Sequence, residues 1–196
     1  MLVAPGDAPD ENDWVLVKDK SCIRIYSRKF SGTEIKEIQA NTSVNASIKD
    51  LSAMLMDVKE FPEWMPNIRS TEILKRISNN EIFYYVEVKV PWPFTNRDNI
   101  MHIKLQENSD TKEVTISIES IPDYIPPKEG LVRIPMASGM WKFTPNQNGS
   151  SNVFLEYLAD PGGRVPIWIV NMFVTDVPFK TLTKLKEVVE DGKNSK

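Results

Sequence analysis

The side chains that could perform chemistry are few and scattered along this sequence. His102 is the sole histidine, so a multi-histidine metal site is excluded and any Ser-His-Asp triad would hang on that one ring. Alternation places His102 on the outer face of a strand with Lys104, where a solvated or hydrogen-bonded ring is expected. Cys22 is the sole cysteine, so no intramolecular disulfide can form. Beside Ile23 it reads as a small buried apolar side chain. The carboxylates Asp57, Glu60, Glu63 and Glu72 are spread around a helix and a turn. Paired acid–base work needs two carboxyls in one pocket with pKa values driven apart, and this spacing gives no sign of it. The sequence contains no glycine-rich phosphate loop, no cysteine pair and no GxSxG. No catalytic residue, metal site or cofactor is therefore assigned.

A different property stands out, namely apolar surface in places that need a partner. Trp92 and Phe94 lie in the short run Pro91-Trp92-Pro93-Phe94, and two large aromatics in a proline-rich loop must cover something. Arg97-Asp98 follows. Adjacent strand residues point to opposite faces, so this pair cannot serve one site together, and tying down the loop is its expected role. From Ile167 to Val177 the chain is apolar nearly all round, as for a helix covered on more than one side.

The elements that position these residues begin as strands. Trp14–Lys18 and Cys22–Lys29 flank a turn at Asp19-Lys20. In Glu34–Val44, after Ser31-Gly32, residues Ile38, Ala40, Thr42 and Val44 alternate with polar ones, the pattern of a strand with one buried face. Ser47 is a helix N-cap candidate, and Ile48, Leu51, Leu55 and Val58 follow on one helical face. Ile68–Ile77 and Glu81–Val90 read as a hairpin turning at Ser78-Asn79-Asn80. Tyr84, Val86 and Val88 share the inner face of its second strand. In Arg97–Gln106 the residues Asn99, Met101, Ile103 and Leu105 share one face. Glu113–Ile121, with Val114, Ile116 and Ile118 on one face, and the strands Gly139–Thr144 and Val153–Ala159 complete about nine. The chain ends in a helix over about Val165–Glu190, kinked at Pro178, where the ring removes a backbone hydrogen bond. Strands with helices segregated to one face define an α+β domain.

With 196 residues, one domain is the default. The 24 Lys+Arg against 27 Asp+Glu give a net charge of −3, so no nucleic-acid partner is expected. Residues 1–13 read as a flexible leader rather than an intact signal peptide, residues 14–190 as the domain, and residues 191–196 as a disordered tail. The compartment stays open: cytoplasmic, or periplasmic or secreted after removal of a signal. Lys180, Lys184, Lys186 and Lys193 make the end mildly basic, a solvated face or a contact for anionic headgroups.

Four segments in register resemble START domains, the lipid-transfer branch of the Bet v 1-like (SRPBCC) superfamily. They are Pro91-Trp92-Pro93-Phe94-Thr95-Asn96-Arg97-Asp98, Pro127-Lys128-Glu129-Gly130-Leu131-Val132-Arg133-Ile134, Gly139-Met140-Trp141-Lys142-Phe143-Thr144-Pro145, and Asp160-Pro161-Gly162-Gly163-Arg164-Val165-Pro166 with Asn171. Phe61-Pro62-Glu63-Trp64 also fits. The resemblance covers roughly residues 12–190.

It implies a helix-grip fold: a curved antiparallel sheet wrapped around a long C-terminal helix, with an internal hydrophobic tunnel holding one lipid or other apolar molecule. Pro91–Asn96 would be the gate, together with the helix. The residues expected to meet the ligand are Tyr84, Val86, Val88, Trp92, Phe94, Asn99, Met101, Ile103, Ile118, Trp141, Ile169, Met172 and Phe173. Tyr84 and Asn99 are the polar handles of a tunnel without a charged pair, which sets it apart from relatives that place one there. The expected role is lipid transfer or sensing by a monomer in transient contact with membranes. The rivals are a cyclase- or hydrolase-like enzyme of the same superfamily and an interaction module whose tunnel is filled.

Overall fold

The computed structural model describes residues 14–30, 33 and 35–194. The expected leader, the Ser31-Gly32 turn and residues 195 and 196 lie outside them. The strands are β1 (Val15–Lys20), β2 (Ile23–Lys29), β3 (Lys36–Val44), β4 (Ile68–Ser78), β5 (Glu81–Val88), β6 (Arg97–Glu107), β7 (Val114–Ser120), β8 (Val132–Arg133), β9 (Met136–Pro145) and β10 (Ser151–Asp160). They form one sheet in the order β1-β2-β3-β10-β9-β7-β6-β5-β4. Along that order every pairing is antiparallel. The short β8 lies off it and pairs in parallel with β6, setting Val132 against Arg97 and Arg133 against Asp98.

Alternation decides which face of each strand turns inward. Ile38, Ala40, Thr42 and Val44 of β3 are all buried, as their spacing predicts. The outer strands β1 and β4 both carry register shifts, and β4 carries three. Such bulges increase local twist and discourage edge-to-edge pairing. The β1–β2 turn falls at Ser21-Cys22, two residues later than expected, with φ of 55° and 60°. Positive φ at both central residues suits a tight hairpin turn. It leaves Cys22 exposed rather than buried.

Between β3 and β4 lie α1 (Ile48–Met56), a 3₁₀ turn (Val58–Glu60) and α2 (Phe61–Trp64). Ser47 caps α1, its Oγ accepting from the Asp50 amide at 3.2 Å. Phe61 packs edge to face on both Trp64 and Tyr84, at 5.8 and 5.9 Å, joining α2 to the sheet.

The C-terminal segment is α3 (Ile167–Asn171), one π-helical stretch (Met172–Asp176) and α4 (Val177–Asn194). Pro178 cannot donate to the preceding turn, and its ring crowds the carbonyl four residues back. The wider stretch before it accommodates that mismatch without ending the helix. The helix runs to Asn194, past the Glu190 boundary expected from sequence. Leu182 and Leu185 are fully buried where α4 packs toward β2, β3 and α2. Each contributes about 1.5–3 kcal/mol through burial. This is the helix-grip α+β architecture.

Candidate functional site

The grip is incomplete, and a cavity of about 520 Å³ lies against the inner face of the sheet and the C-terminal segment. Its wall is mostly apolar. Tyr84, Val86 and Val88 line it from β5, and Asn99, Met101 and Ile103 from β6. Ile118 and Trp141 come from β7 and β9, and Ile169 and Phe173 from the C-terminal segment. All ten are among the residues expected to meet the ligand: alternation marks those of β5, β6 and β7, and the family resemblance brings in Trp141, Ile169 and Phe173.

Trp92, Phe94 and Met172 are not part of the wall. The helical row that reaches the cavity is Ile169, Phe173, Val177 and Thr181, with Val170, Val174 and Pro178 beside it. Met172 lies on the row of the exposed Trp168, outside both of these i, i+4 rows. Trp92 is 91% exposed at the loop tip. Phe94 is half-buried and meets the exposed Trp168 edge to face at 6.0 Å. The loop therefore carries its aromatics outward along the helix rather than into the cavity.

Hydrogen bonds fix the base of this loop. Asn96 Oδ1 accepts from the Val90 amide at 3.1 Å, and Asn96 Nδ2 donates to Glu87 at 3.0 Å. Arg97, which sequence reasoning left out of the cavity, is buried on its wall. Its guanidinium donates to the carbonyls of Thr95, Pro161 and Gly162 at 2.5, 3.2 and 3.3 Å. The loop before β6 is thus tied to the connection leading into α3. Gly162 and Gly163 there have φ of 67° and 65°, a left-handed geometry that favours glycine. Burial holds the Arg97 pKa below its ordinary value, yet an arginine stays protonated in proteins.

Asp98 points to the other face and is fully buried. Arg133 clasps it through two bonds of 2.8 and 3.0 Å. The same guanidinium donates to the carbonyls of Pro122, Ile125 and Pro126. This ion pair lies outside the cavity wall and fixes the chain between β7 and β8. His102 is also on the outer face, 2.9 Å from Glu81 and stacked on Phe83 at 4.3 Å.

Further wall residues were missed, among them Ile38, Leu155, Tyr157 and Ala159. The period-2 pattern of Val153, Leu155, Tyr157 and Ala159 marks one face of β10 and was the available signal. Burial raises the pKa of both Tyr84 and Tyr157, the latter to about 12. Both phenols stay neutral near pH 7. The ionisable wall residues are Lys36, Tyr84, Arg97, Tyr157 and Arg164, with no carboxyl or histidine among them. Among the described residues no cluster of His, Cys, Asp and Glu could hold a metal ion.

A second, more open groove of about 350 Å³ shares the Met65–Ile68 stretch with the cavity. Lys89, Lys180 and Lys184 line it together with Phe179 and Trp64.

An antiparallel sheet gripping a C-terminal helix around an apolar cavity defines a class of binding protein, and comparison with known proteins identifies the branch. The START domain family profile matches residues 7–193, and the chain belongs to that family. It is 30% identical over 178 residues to an uncharacterized protein of Pseudomonas aeruginosa, covering 91% of this chain and 87% of that one. It is 26% identical over 164 residues to phosphatidylcholine transfer protein of Rattus norvegicus, covering 81% and 75%. A solved STAR-related lipid transfer protein fragment of Xanthomonas axonopodis is 33% identical, with a TM-score of 0.83 over 90% of this chain and 98% of that one.

Proposed function

We propose that the protein binds one lipid or similarly apolar small molecule in the cavity and carries or senses it without transforming it. The observation that carries this reading is the mostly apolar 520 Å³ cavity in a START-family chain. Removing apolar surface from water is worth roughly 25 cal/mol per Å², so such a wall holds an acyl chain firmly. The names of the phosphatidylcholine and STAR-related lipid transfer proteins support a lipid as cargo. The wall chemistry favours binding over catalysis: its phenols remain neutral, its buried arginine is committed to carbonyls, and no carboxyl or histidine faces the ligand.

Exchange with a membrane uses the Pro91–Asn96 loop and α3 as the gate. Trp92, Phe94 and Trp168 together present aromatic surface suited to a membrane interface. The lysine groove beside the cavity supplies attraction to anionic headgroups. Native mass spectrometry on protein purified without detergent, followed by lipid extraction, tests the central reading. A discrete additional mass identified as a lipid is expected. Protein that carries no additional mass and takes up nothing from a mixed lipid extract refutes it.

A further inference from the structure

The charged groups of the cavity wall are all cations. Lys36, Arg97 and Arg164 line it, and no carboxyl does. The chain as a whole carries a net charge of −3, so this local excess runs against its composition. The three cations also gather at one end of the cavity. The β3–β10 register sets Glu37 against Leu158, which puts Lys36 beside Ala159 on the wall. One residue further on, β10 ends at Asp160 and leads into Pro161-Gly162-Gly163-Arg164. Arg97 donates to the Pro161 and Gly162 carbonyls of that same connection.

Their charges are uncompensated. Lys36 stands in the inward row of β3 with Ile38 and Ala40, both buried. A cation on such a row is costly unless it is paired. Among the described residues, no carboxylate lies within ion-pair distance of Lys36, Arg97 or Arg164. The acids nearest in the chain are engaged elsewhere. Asp160 accepts from the Gly162 amide at 2.8 Å, and Glu37, on the other face of β3, pairs with Arg28 at 2.7 Å. Arg97 is buried, and carbonyls take up its donors without cancelling its charge. Lys36 is half-buried and Arg164 exposed, so both can turn their donors to a ligand at this end.

We infer that the cargo is an acidic amphiphile. Its acyl part lies along the apolar wall. Its anionic headgroup, a carboxylate or a phosphate monoester, sits between the start of β3 and the β10–α3 connection, paired with Lys36 and Arg164. Such charge-assisted hydrogen bonds are stronger than neutral ones. Arg97 stays on its carbonyls, holds the connection in place and adds its charge to the local potential. This inference rests on the cavity being a lipid site and adds the charge of the lipid it selects.

The test offers the full chain vesicles of dioleoyl phosphatidylcholine that carry one of two matched pairs in equal amounts. The first pair is hexadecanoic acid and its methyl ester. The second is dioleoyl phosphatidic acid and dioleoylglycerol. At about pH 8.5 both acids are ionised. Native mass spectrometry reads what is bound, and both members of a pair compete within the same vesicle. The wild type is expected to carry the acid over its neutral partner by about tenfold, the scale of one charge-assisted hydrogen bond at a partly wet rim. An excess in the first pair assigns a carboxylate and one in the second a phosphate, and either supports the inference. Lys36→Met with Arg164→Gln should bring the ratio close to one while the neutral lipid is still taken up. Arg164→Gln alone, at an exposed position, should lower it by about threefold and is read if the double variant fails to fold. Arg164→Lys keeps the charge and should keep most of the preference. Equal uptake within both pairs by the wild type overturns the inference. So does phosphatidylcholine as the sole bound mass, and so does a preference for acid that the double variant retains. Each of these leaves the carrier reading intact. Absence of any bound lipid overturns both.

Discussion

Phe94 and Trp168 meet edge to face, their centroids 6.0 Å apart, and so join the loop after β5 to the first turn of the C-terminal segment. Such a pair contributes about 0.5–1.5 kcal/mol, enough to hold a gate closed and weak enough to let it open. Trp92, almost wholly exposed next to it, does nothing visible for the fold. Replacing both loop aromatics, Trp92→Ala with Phe94→Ala, should therefore slow lipid transfer between vesicles while lowering stability by no more than about 2 kcal/mol. A fluorescent-lipid transfer assay and a denaturant titration measure the two effects. An unchanged transfer rate removes the gate.

The Asp98–Arg133 pair makes a different prediction because the carboxylate is wholly buried. Removing one partner leaves an uncompensated charge, at a cost of about 3–5 kcal/mol. Arg133→Ala should therefore lower the denaturant midpoint strongly. Arg133→Lys should recover only part, since an ammonium cannot reproduce the fork that spans both carboxylate oxygens and the loop carbonyls. A loss under about 1 kcal/mol for Arg133→Ala would show that solvent reaches Asp98.

Gly139 bears on the β10 side of the cavity. It stands opposite Tyr157 in the β9–β10 pairing. A methyl added there would lie 2.3 Å from the Glu156 carbonyl oxygen and 2.9 Å from Tyr157 Cδ2. The bare backbone thus lets the Tyr157 ring lie across it. Gly139→Ala should destabilise by about 1–3 kcal/mol through overpacking. It should also weaken ligand binding by displacing the phenol, which titration with a bound lipid would detect. Full stability and wild-type affinity would refute this packing.

Much of the cavity was legible because its walls follow simple periods. Tyr84, Val86 and Val88 alternate on β5 as Asn99, Met101 and Ile103 do on β6, and a period of two makes their shared face readable. Apart from Leu155, Tyr157 and Ala159, whose period of two on β10 is equally readable, what escapes depends on relationships that no local pattern contains. Arg97 shares the parity of Asn99, yet a charged residue inside an apolar cavity is understandable only once the Pro161 and Gly162 carbonyls are seen beside it. Met172 stands in a stretch that is apolar nearly all round, so the sequence alone does not separate its row, shared with Trp168, from the two that face the cavity. Cys22 looked buried because the β1–β2 turn was placed two residues early. The aromatics of the loop were visible, but the direction in which they point is set by Trp168, more than seventy residues away.

The lysine groove should act at long range. Lys89, Lys180 and Lys184 face the same space, and a lysine near an anionic membrane contributes about 1 kcal/mol. Lys89→Ala with Lys180→Ala should weaken association with phosphatidylglycerol-containing vesicles by roughly thirtyfold. Association with purely phosphatidylcholine vesicles should be unchanged. Salt should erase the difference, because exposed charges are screened over about 8 Å at physiological ionic strength. Co-sedimentation with the two vesicle types measures it, and equal loss on both would rule out an electrostatic role.

Alkaline titration tests the cavity from within. Burial raises the Tyr157 pKa from 10.0 to about 12 in the folded chain. Below pH 10 the phenol is neutral in both folded and unfolded states, and its contribution to stability is fully present. As pH rises from about 10 to about 12, the unfolded chain releases the proton while the folded chain retains it, so stability falls. Tyr84 is raised for the same reason and adds to the slope. Tyr157→Phe should therefore lose stability less steeply over this range than the wild type, with the residual slope owed to Tyr84 and Tyr85. Denaturant midpoints recorded across the range decide it. Parallel slopes for the two proteins would mean that Tyr157 ionises as freely when folded as when unfolded, and that the cavity beside it is wet.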